Sequence, residues 1–341
     1  MFFMNKFFVR KIHLLLIVFI QTIACQNNNV SGQESGSSGI SSGFHIQRFD
    51  KELYEWLNTN DSALPLKMKQ DYRNFLHLYI NYVLNITPND SISLDKQIRN
   101  YFSESDYAIL YRDAEIHYNS IEDIEQSLGK AFADLQFYFP EKKLPIIYMH
   151  VSGLNQSVVV GEGILSVSID KYLGKDYSLY EKYYPNYLKK NMIRDRIVSD
   201  YLTAWCFSEF ELKNESNLLD QIIYRGKIIY LLQNLLPDVS EHILLGFTEN
   251  EFNLCMNNEK SIWRFILENK HLYINDYLII SKYINEAPYS AFFTNEYPAQ
   301  IGVFIGWRIV SKYMEKNGKI TLSDLMNNTN SQQILSKSKY K

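Results

Sequence analysis

Apolar positions along most of this chain recur every three to four residues, and only in one region does the spacing drop to two. Phe49, Leu53, Trp56 and Leu57 share one face of a helix that opens the ordered part near His45. Tyr72, Phe75, Leu76, Tyr79, Ile80, Val83 and Leu84 keep the helical rhythm over 71–84. A third helix is predicted over 120–138, where Ile121, Ile124, Leu128, Phe132 and Leu135 recur and Pro140 stops the run. The period then changes. Residues 144–151 and 158–160 are β-rich, and the turn Gly161-Glu162-Gly163 leads into 164–169. There Leu165, Val167 and Ile169 alternate with Ser166 and Ser168, which predicts a strand with one face in water. Residues 170–176 read as a loop. Helical spacing returns over 192–210, 218–236, 259–269 and 301–315. In the last of these, Gly302 and Gly306 lie four apart on one face, where a second backbone can approach closely. The pattern predicts an α+β fold that is mostly α-helical. A small central β-sheet (144–170) sits between helical blocks at 44–140 and 190–325.

The first 43 residues follow a different pattern. Lys6, Arg10 and Lys11 precede the apolar run 14–20, and Thr22-Ile23-Ala24-Cys25 follows. A charged start, a short apolar stretch and a small residue before the cut are the layout of a secretory signal. The run is far shorter than the ~20 residues that cross a bilayer. Ending on a cysteine, the stretch resembles the lipobox of bacterial lipoproteins, which implies cleavage before Cys25 and acylation of its thiol. The expected organisation is a signal peptide (1–24), a tether (25–43) and an ectodomain (44–341). The tether is rich in Asn, Ser and Gly, and a flexible segment of that length spans roughly 25 Å. Gln26 stands where an aspartate would direct inner-membrane retention, which favours the outer membrane. No acidic cluster follows that would indicate surface display.

Composition narrows the classes. A hydrophobic fraction of 46% with 21% charged residues belongs to a globular protein, not a disordered one. A net charge of −3 gives no electrostatic reason to expect nucleic acid as a partner. Cys206 and Cys255 sit in apolar contexts suited to buried free thiols. No His-Glu-x-x-His occurs, the histidines are scattered, and the 192–210 helix carries Asp195 and Asp200 but no histidine. A Gly-x-Ser-x-Gly elbow and a phosphate-cradling glycine loop are absent too. The expectation is no metal, no cofactor and no catalytic residue. The alternative is a divergent envelope hydrolase, peptidase-like, using a non-zinc site built from carboxylates distant in sequence. Aromatic residues are abundant, with 26 tyrosines and 20 phenylalanines. Tyr273, Tyr277, Tyr283, Tyr289, Phe292, Phe293, Tyr297 and Trp307 crowd around Pro288 and Pro298. A loop between two prolines runs over the surface, so Tyr289, Phe292, Phe293 and Tyr297 are candidate protein-contact residues.

Several segments carry a resemblance in order along the chain. They are Phe137-Tyr138-Phe139-Pro140, Ser152-Gly153-Leu154-Asn155, and Ser168-Ile169-Asp170-Lys171-Tyr172-Leu173-Gly174. Further on come Tyr224-Arg225-Gly226-Lys227-Ile228-Ile229-Tyr230, Asn258-Glu259-Lys260-Ser261-Ile262-Trp263, Glu286-Ala287-Pro288-Tyr289 and 302–313. Over essentially its whole mature length the chain resembles the gliding motility lipoprotein GldB family of the Bacteroidetes. That family is in turn similar to predicted zinc peptidases of the His-Glu-x-x-His type. By that resemblance the 192–210 helix corresponds to their metal helix, and the segment at 224–230 to the one with a third, glutamate ligand. This sequence departs at each ligand, with no histidine on the first and Arg225 before Gly226 on the second. The resemblance implies a peptidase-like scaffold without the metal chemistry. It also implies a lipid-anchored envelope protein whose partners are other envelope or motility-machinery proteins, together with the bilayer reached through acylated Cys25. Should the host not glide, a purely structural envelope lipoprotein is the third reading.

Overall fold

The computed structural model describes residues 43–87, 91–213 and 217–341. The expected signal peptide, Cys25 and all of the tether except Gly43 lie outside the described residues. The sheet has four strands: β1 (Gln47–Arg48), β2 (Ile146–His150), β3 (Val158–Gly161) and β4 (Ile164–Ser168), in the order β1-β2-β4-β3. β1 and β4 both run parallel to β2, and β3 closes the far edge antiparallel to β4. The sheet therefore recruits a strand from just before the first helix, outside the 144–170 span expected for it.

Alternation in β4 predicted one wet face, and the structure corrects this. Ile164, Leu165, Ser166, Val167 and Ser168 are all buried. β4 lies between two strands, and the sheet is covered on both sides, a setting in which alternation no longer reports exposure. One face carries Phe75, whose ring stacks on Tyr148 with centroids 4.4 Å apart. The helix Ile197–Glu209 packs against β3 and β4, and its Tyr201 hydroxyl donates to the Tyr148 carbonyl. The buried serines are satisfied internally: the Ser166 hydroxyl donates to Tyr148 O (3.1 Å) and lies 2.6 Å from His150 Nδ1.

The principal helices are α1 (Phe49–Leu57), α2 (Ser105–His117), α3 (Glu122–Tyr138), α4 (Ile197–Glu209), α5 (Leu218–Leu235), α6 (Tyr277–Ile284) and α7 (Ile301–Lys316). Shorter ones fill the spaces between them. The helix expected over 71–84 is broken: Leu66–Asp71 and Arg73–Leu78 meet at Tyr72, and Tyr79–Val83 is a π-helical turn. The wider turn lets Tyr79, Ile80 and Val83 all face inward. Leu94–Phe102 and α2 were not anticipated. Nor was the last helix, Ser331–Ser338, which packs on α5 and α7 and carries the helical block past residue 325.

α5 and α7 cross with their backbones touching. A methyl group at Gly226 would overlap the Gly306 carbonyl, and one at Gly306 would overlap the carbonyl of Ile222. Close approach at Gly306 was legible from its spacing, and its partner is Gly226. The buried Lys227 next to it donates to Met326 O (3.1 Å) and Asn328 O (3.0 Å), tying down the end of the helix Leu322–Asn327. Cys206 and Cys255 are buried free thiols. One hydrophobic cluster extends from Ile46 to Tyr340. Among the described residues, no helix is long and apolar enough to cross a membrane.

Candidate functional site

β2 and β4 are parallel neighbours, so the segments leaving their carboxyl ends emerge side by side. One is Val151 to Asn155, and the other is the short 3-10 turn Ile169–Lys171. Between them lies the fully buried carboxylate of Asp170. It accepts hydrogen bonds from Ser152 N (2.9 Å) and Leu154 N (2.8 Å), and from the hydroxyls of Ser152 (3.2 Å) and Ser168. Gly153 and Leu154 are both left-handed, with φ of 66° and 67°. Successive residues of this kind turn their N–H groups into a concavity that suits an anion, and here the anion is the chain's own side chain. At Gly153 a Cβ would lie 2.7 Å from the Tyr101 hydroxyl, so only glycine fits. Leu154 has a side chain in the same region at a cost of about 1 kcal/mol, which its bond to Asp170 offsets.

The loop's carbonyls are held as firmly as its N–H groups. Tyr79 donates to Val151 O (2.6 Å), Tyr101 to Ser152 O (2.9 Å), Tyr184 to Leu154 O, and Lys171 to Asn155 O (3.2 Å). The Asn155 amide in turn donates to Val83 O (2.9 Å), at the end of the π-helical turn. Lys171 is buried, and burial pulls its pKa down to about 8 against the pull of Asp170 and Glu286. Its ammonium also donates to the Tyr184 hydroxyl (2.5 Å) and stands over that ring. Two of the segments that carried the resemblance thus meet here, 152–155 and 168–174. Chemically, the arrangement fixes backbone. Asp170 has its oxygens occupied by donors, and Lys171 is held by two oxygen acceptors. Outside the loop, a cleft of about 720 Å³ is lined by Thr87, Asn100, Tyr101, Glu104, Tyr107 and Tyr183, among others. Tyr101 belongs to both, stacking on Tyr107 at 5.1 Å while its hydroxyl reaches the loop.

The helices expected from the resemblance to correspond to a peptidase metal-binding pair are α4 and α5, which pack together. One helical turn apart at the start of α4 stand Arg196 and Asp200, joined as an ion pair at 2.5 Å. Asp200 also accepts from the Tyr172 hydroxyl (2.8 Å), whereas Asp195 is exposed, so the two aspartates do not converge. The next pair is Ser199 and Thr203, whose hydroxyls donate to backbone carbonyls within the helix. Among the described residues no three of His, Cys, Asp and Glu come together as a metal-ligand group. On α5, Arg225 is half-buried against the ring of Phe207 at 5.7 Å.

The four candidate contact residues lie in the non-helical stretch between α6 and α7. Tyr289 is 44% exposed, while Phe292, Phe293 and Tyr297 are half-buried and engaged with one another and with helices. Phe292 stacks on the buried Tyr283 at 4.7 Å, and Phe293 packs against Phe265 at 4.8 Å and Tyr297 at 5.1 Å. Of the wider aromatic group, Tyr283 and Trp307 are core residues, and Tyr273 and Tyr277 are exposed. The sequence reading missed the role of Asp170, taking its segment for a loop. The available signal was a serine, one residue and an aspartate directly after a strand.

Comparison with known proteins finds no curated protein and no solved structure that matches this chain. A family model does match, over residues 31–341, and its description is gliding motility protein GldB. The match takes in the loop at 152–155, the Asp170 turn, α4, α5 and the aromatic stretch before α7. The chain belongs to the gliding motility protein GldB family.

Proposed function

We propose that this chain is a lipid-anchored, non-catalytic component of a cell-envelope assembly that supports gliding motility or the secretion associated with it. The observation that carries the reading is family membership over residues 31–341, combined with the lipobox-like stretch ending at Cys25. Acylated Cys25 holds the protein on the bilayer, at the periplasmic face of the outer membrane, and its partners are other envelope or motility-machinery proteins. No nucleic acid is involved. The non-catalytic reading is supported by the use of Asp170 and Lys171 to pin a loop and by the Arg196–Asp200 pair on α4. Contact with a partner is assigned to Tyr289, which presents its ring, in the same stretch as the half-buried Phe292, Phe293 and Tyr297.

The test is made in the native host. Cys25→Ser should move the protein from the membrane fraction to the soluble fraction, and deletion of the whole chain should stop cell spreading. Unchanged fractionation would show the anchor assignment to be wrong, because several acyl chains on one cysteine bind a membrane firmly and a folded ectodomain alone does not. Alanine at the exposed Tyr289 should abolish co-purification of an envelope partner while leaving the melting temperature nearly unchanged. Elemental analysis finding one zinc per chain, with a melting temperature that drops on chelation, would sink the non-catalytic reading.

A further inference from the structure

Among the described residues, the half-buried arginines are bonded, with one exception. Arg48 donates to Asp50, Arg99 to the carbonyls of Trp56, Leu57 and Asp61, Arg194 to Asp123, Arg196 to Asp200, and Arg308 to Glu259. Arg225 on α5 donates to nothing among the described residues. Its Nε is buried without a hydrogen-bond partner, and among the described residues the titratable groups acting on it are the phenols of Tyr224 and Tyr277. The ring of Phe207 lies beneath the guanidinium at 5.7 Å. A buried N–H without an acceptor is costly, the more so on a charged group. Beside this cation α6, packed on α5, begins with two large side chains in water: Tyr277 is 68% exposed and Leu278 is 71% exposed. A fixed positive charge short of acceptors, rimmed by exposed apolar surface, is the complement of an acidic side chain set among apolar ones.

We propose that Arg225, with Tyr277 and Leu278 as its rim, is a docking point for an Asp or Glu carboxylate of a partner protein. The guanidinium supplies donors for two parallel bonds to the carboxylate, and the rim excludes water from them. This rests on the reading of the chain as an assembly component, and it adds a contact separate from the one around Tyr289.

The experiment uses the full chain in its native host, with a photo-cross-linking residue in place of Leu278. The expected result is a defined cross-linked partner whose yield falls at least tenfold in Arg225→Met, while the melting temperature stays level or rises. The same loss should follow when the acidic residue nearest the partner's cross-linked site is neutralised. Tyr277→Asp, an exposed change that cannot unfold the core, should give it too by repelling the incoming acid. A cross-link indifferent to Arg225 overturns the proposal. So does a lower melting temperature shared by Arg225→Met and Glu215→Gln, since that marks an ion pair within the chain; Glu215 lies outside the described residues. Arg225-dependent binding to phosphatidylglycerol vesicles would assign the site to lipid phosphate and also overturn it. If no cross-link forms while deletion still stops spreading, only this proposal fails. If deletion leaves spreading intact, the assembly reading fails first.

Discussion

Replacing Glu115 by Gln should stabilise the protein, and by more as the pH rises. Glu115 closes a buried acidic pair where the chain enters its first helix. Asp50 is fully buried and takes a two-pronged bond from Arg48 (2.6–3.1 Å), and Tyr111 donates to the Asp50 carbonyl (2.7 Å). Glu115 Oε2 lies 3.9 Å from the same guanidinium, Oε1 is buried without a partner, and the side chain is within hydrogen-bonding reach of Asp50. One arginine faces two carboxylates. Burial first, and the Asp50 charge second, push the Glu115 carboxyl from about 4.5 to about 8, against the pull of Arg48 and Lys51. The folded state thus keeps a proton that the unfolded chain gives up near pH 4.5. Stability from this group is fully present below that pH, and it is lost progressively as the pH climbs toward and through 8. At 1.36 kcal/mol per pH unit the full loss is about 5 kcal/mol. The edge of the Glu115 side chain that still meets water, and so screens its charge, reduces this to about 2 kcal/mol. Gln cannot ionise, and its amide donates to Asp50 as the protonated acid does. Thermal unfolding of wild type and Glu115→Gln between pH 5 and 9 should therefore give equal midpoints at pH 5 and a gap of roughly 4 °C at pH 9. Parallel curves, or a variant weaker at every pH, would refute the proton retained on Glu115.

Other substitutions probe the framework. Gly306→Ala should cost about 3 kcal/mol or more in denaturant unfolding, because the added methyl meets the Ile222 backbone on α5 and not a side chain that can turn aside. Asp170→Asn should cost about 3 kcal/mol, since an amide turns an N–H toward one of the donors at Ser152 and Leu154. Faster amide exchange across 151–155 would report it locally. Tyr289→Ala alone should shift the melting temperature by less than about 2 °C, whereas Phe293→Ala, which empties a ring contact with Phe265, should lower it by more.

What the sequence disclosed follows from how local each cause is. The helices α3, α4, α5 and α7 are long, periodic and punctuated by proline or polar breaks, so their positions could be read within a few residues. The α5–α7 crossing was half legible: two glycines four apart announce close approach, but nothing near residue 306 says that the partner is Gly226. β4 misled because alternation assumes that one face meets water, and its serines are instead bonded within the core. The π-helical turn at Tyr79–Val83 has no signature in the apolar spacing, which merely shows one large residue too many on the buried side. α2 went unread because its apolar residues are spread around the helix, with Ile109 and Ile116 facing solvent.

The candidate site was the least legible part, for a reason that bears on what the protein does. Its two loops are 14 residues apart at their closest (Asn155 to Ile169) and meet only because β2 and β4 pair in parallel, a tertiary fact with no local trace. Around the paired loops, an aspartate, a lysine and three tyrosines are spent on the backbone of four residues, Val151, Ser152, Leu154 and Asn155. Hydrogen bonds of that number to both the N–H and C=O groups of one loop leave it few accessible conformations. The result is a fixed and largely buried loop: Val151, Ser152 and Gly153 are buried, and only Leu154 and Asn155 reach toward solvent. In a site that works by reacting, the acid and the ammonium would have to be left unspent toward a substrate. Here they are turned inward, with the cleft beside Tyr101 resting on the loop they hold. A fixed wall under that cleft is what the proposed role as an assembly component asks of it, because a preorganised contact lowers the ordering entropy of docking.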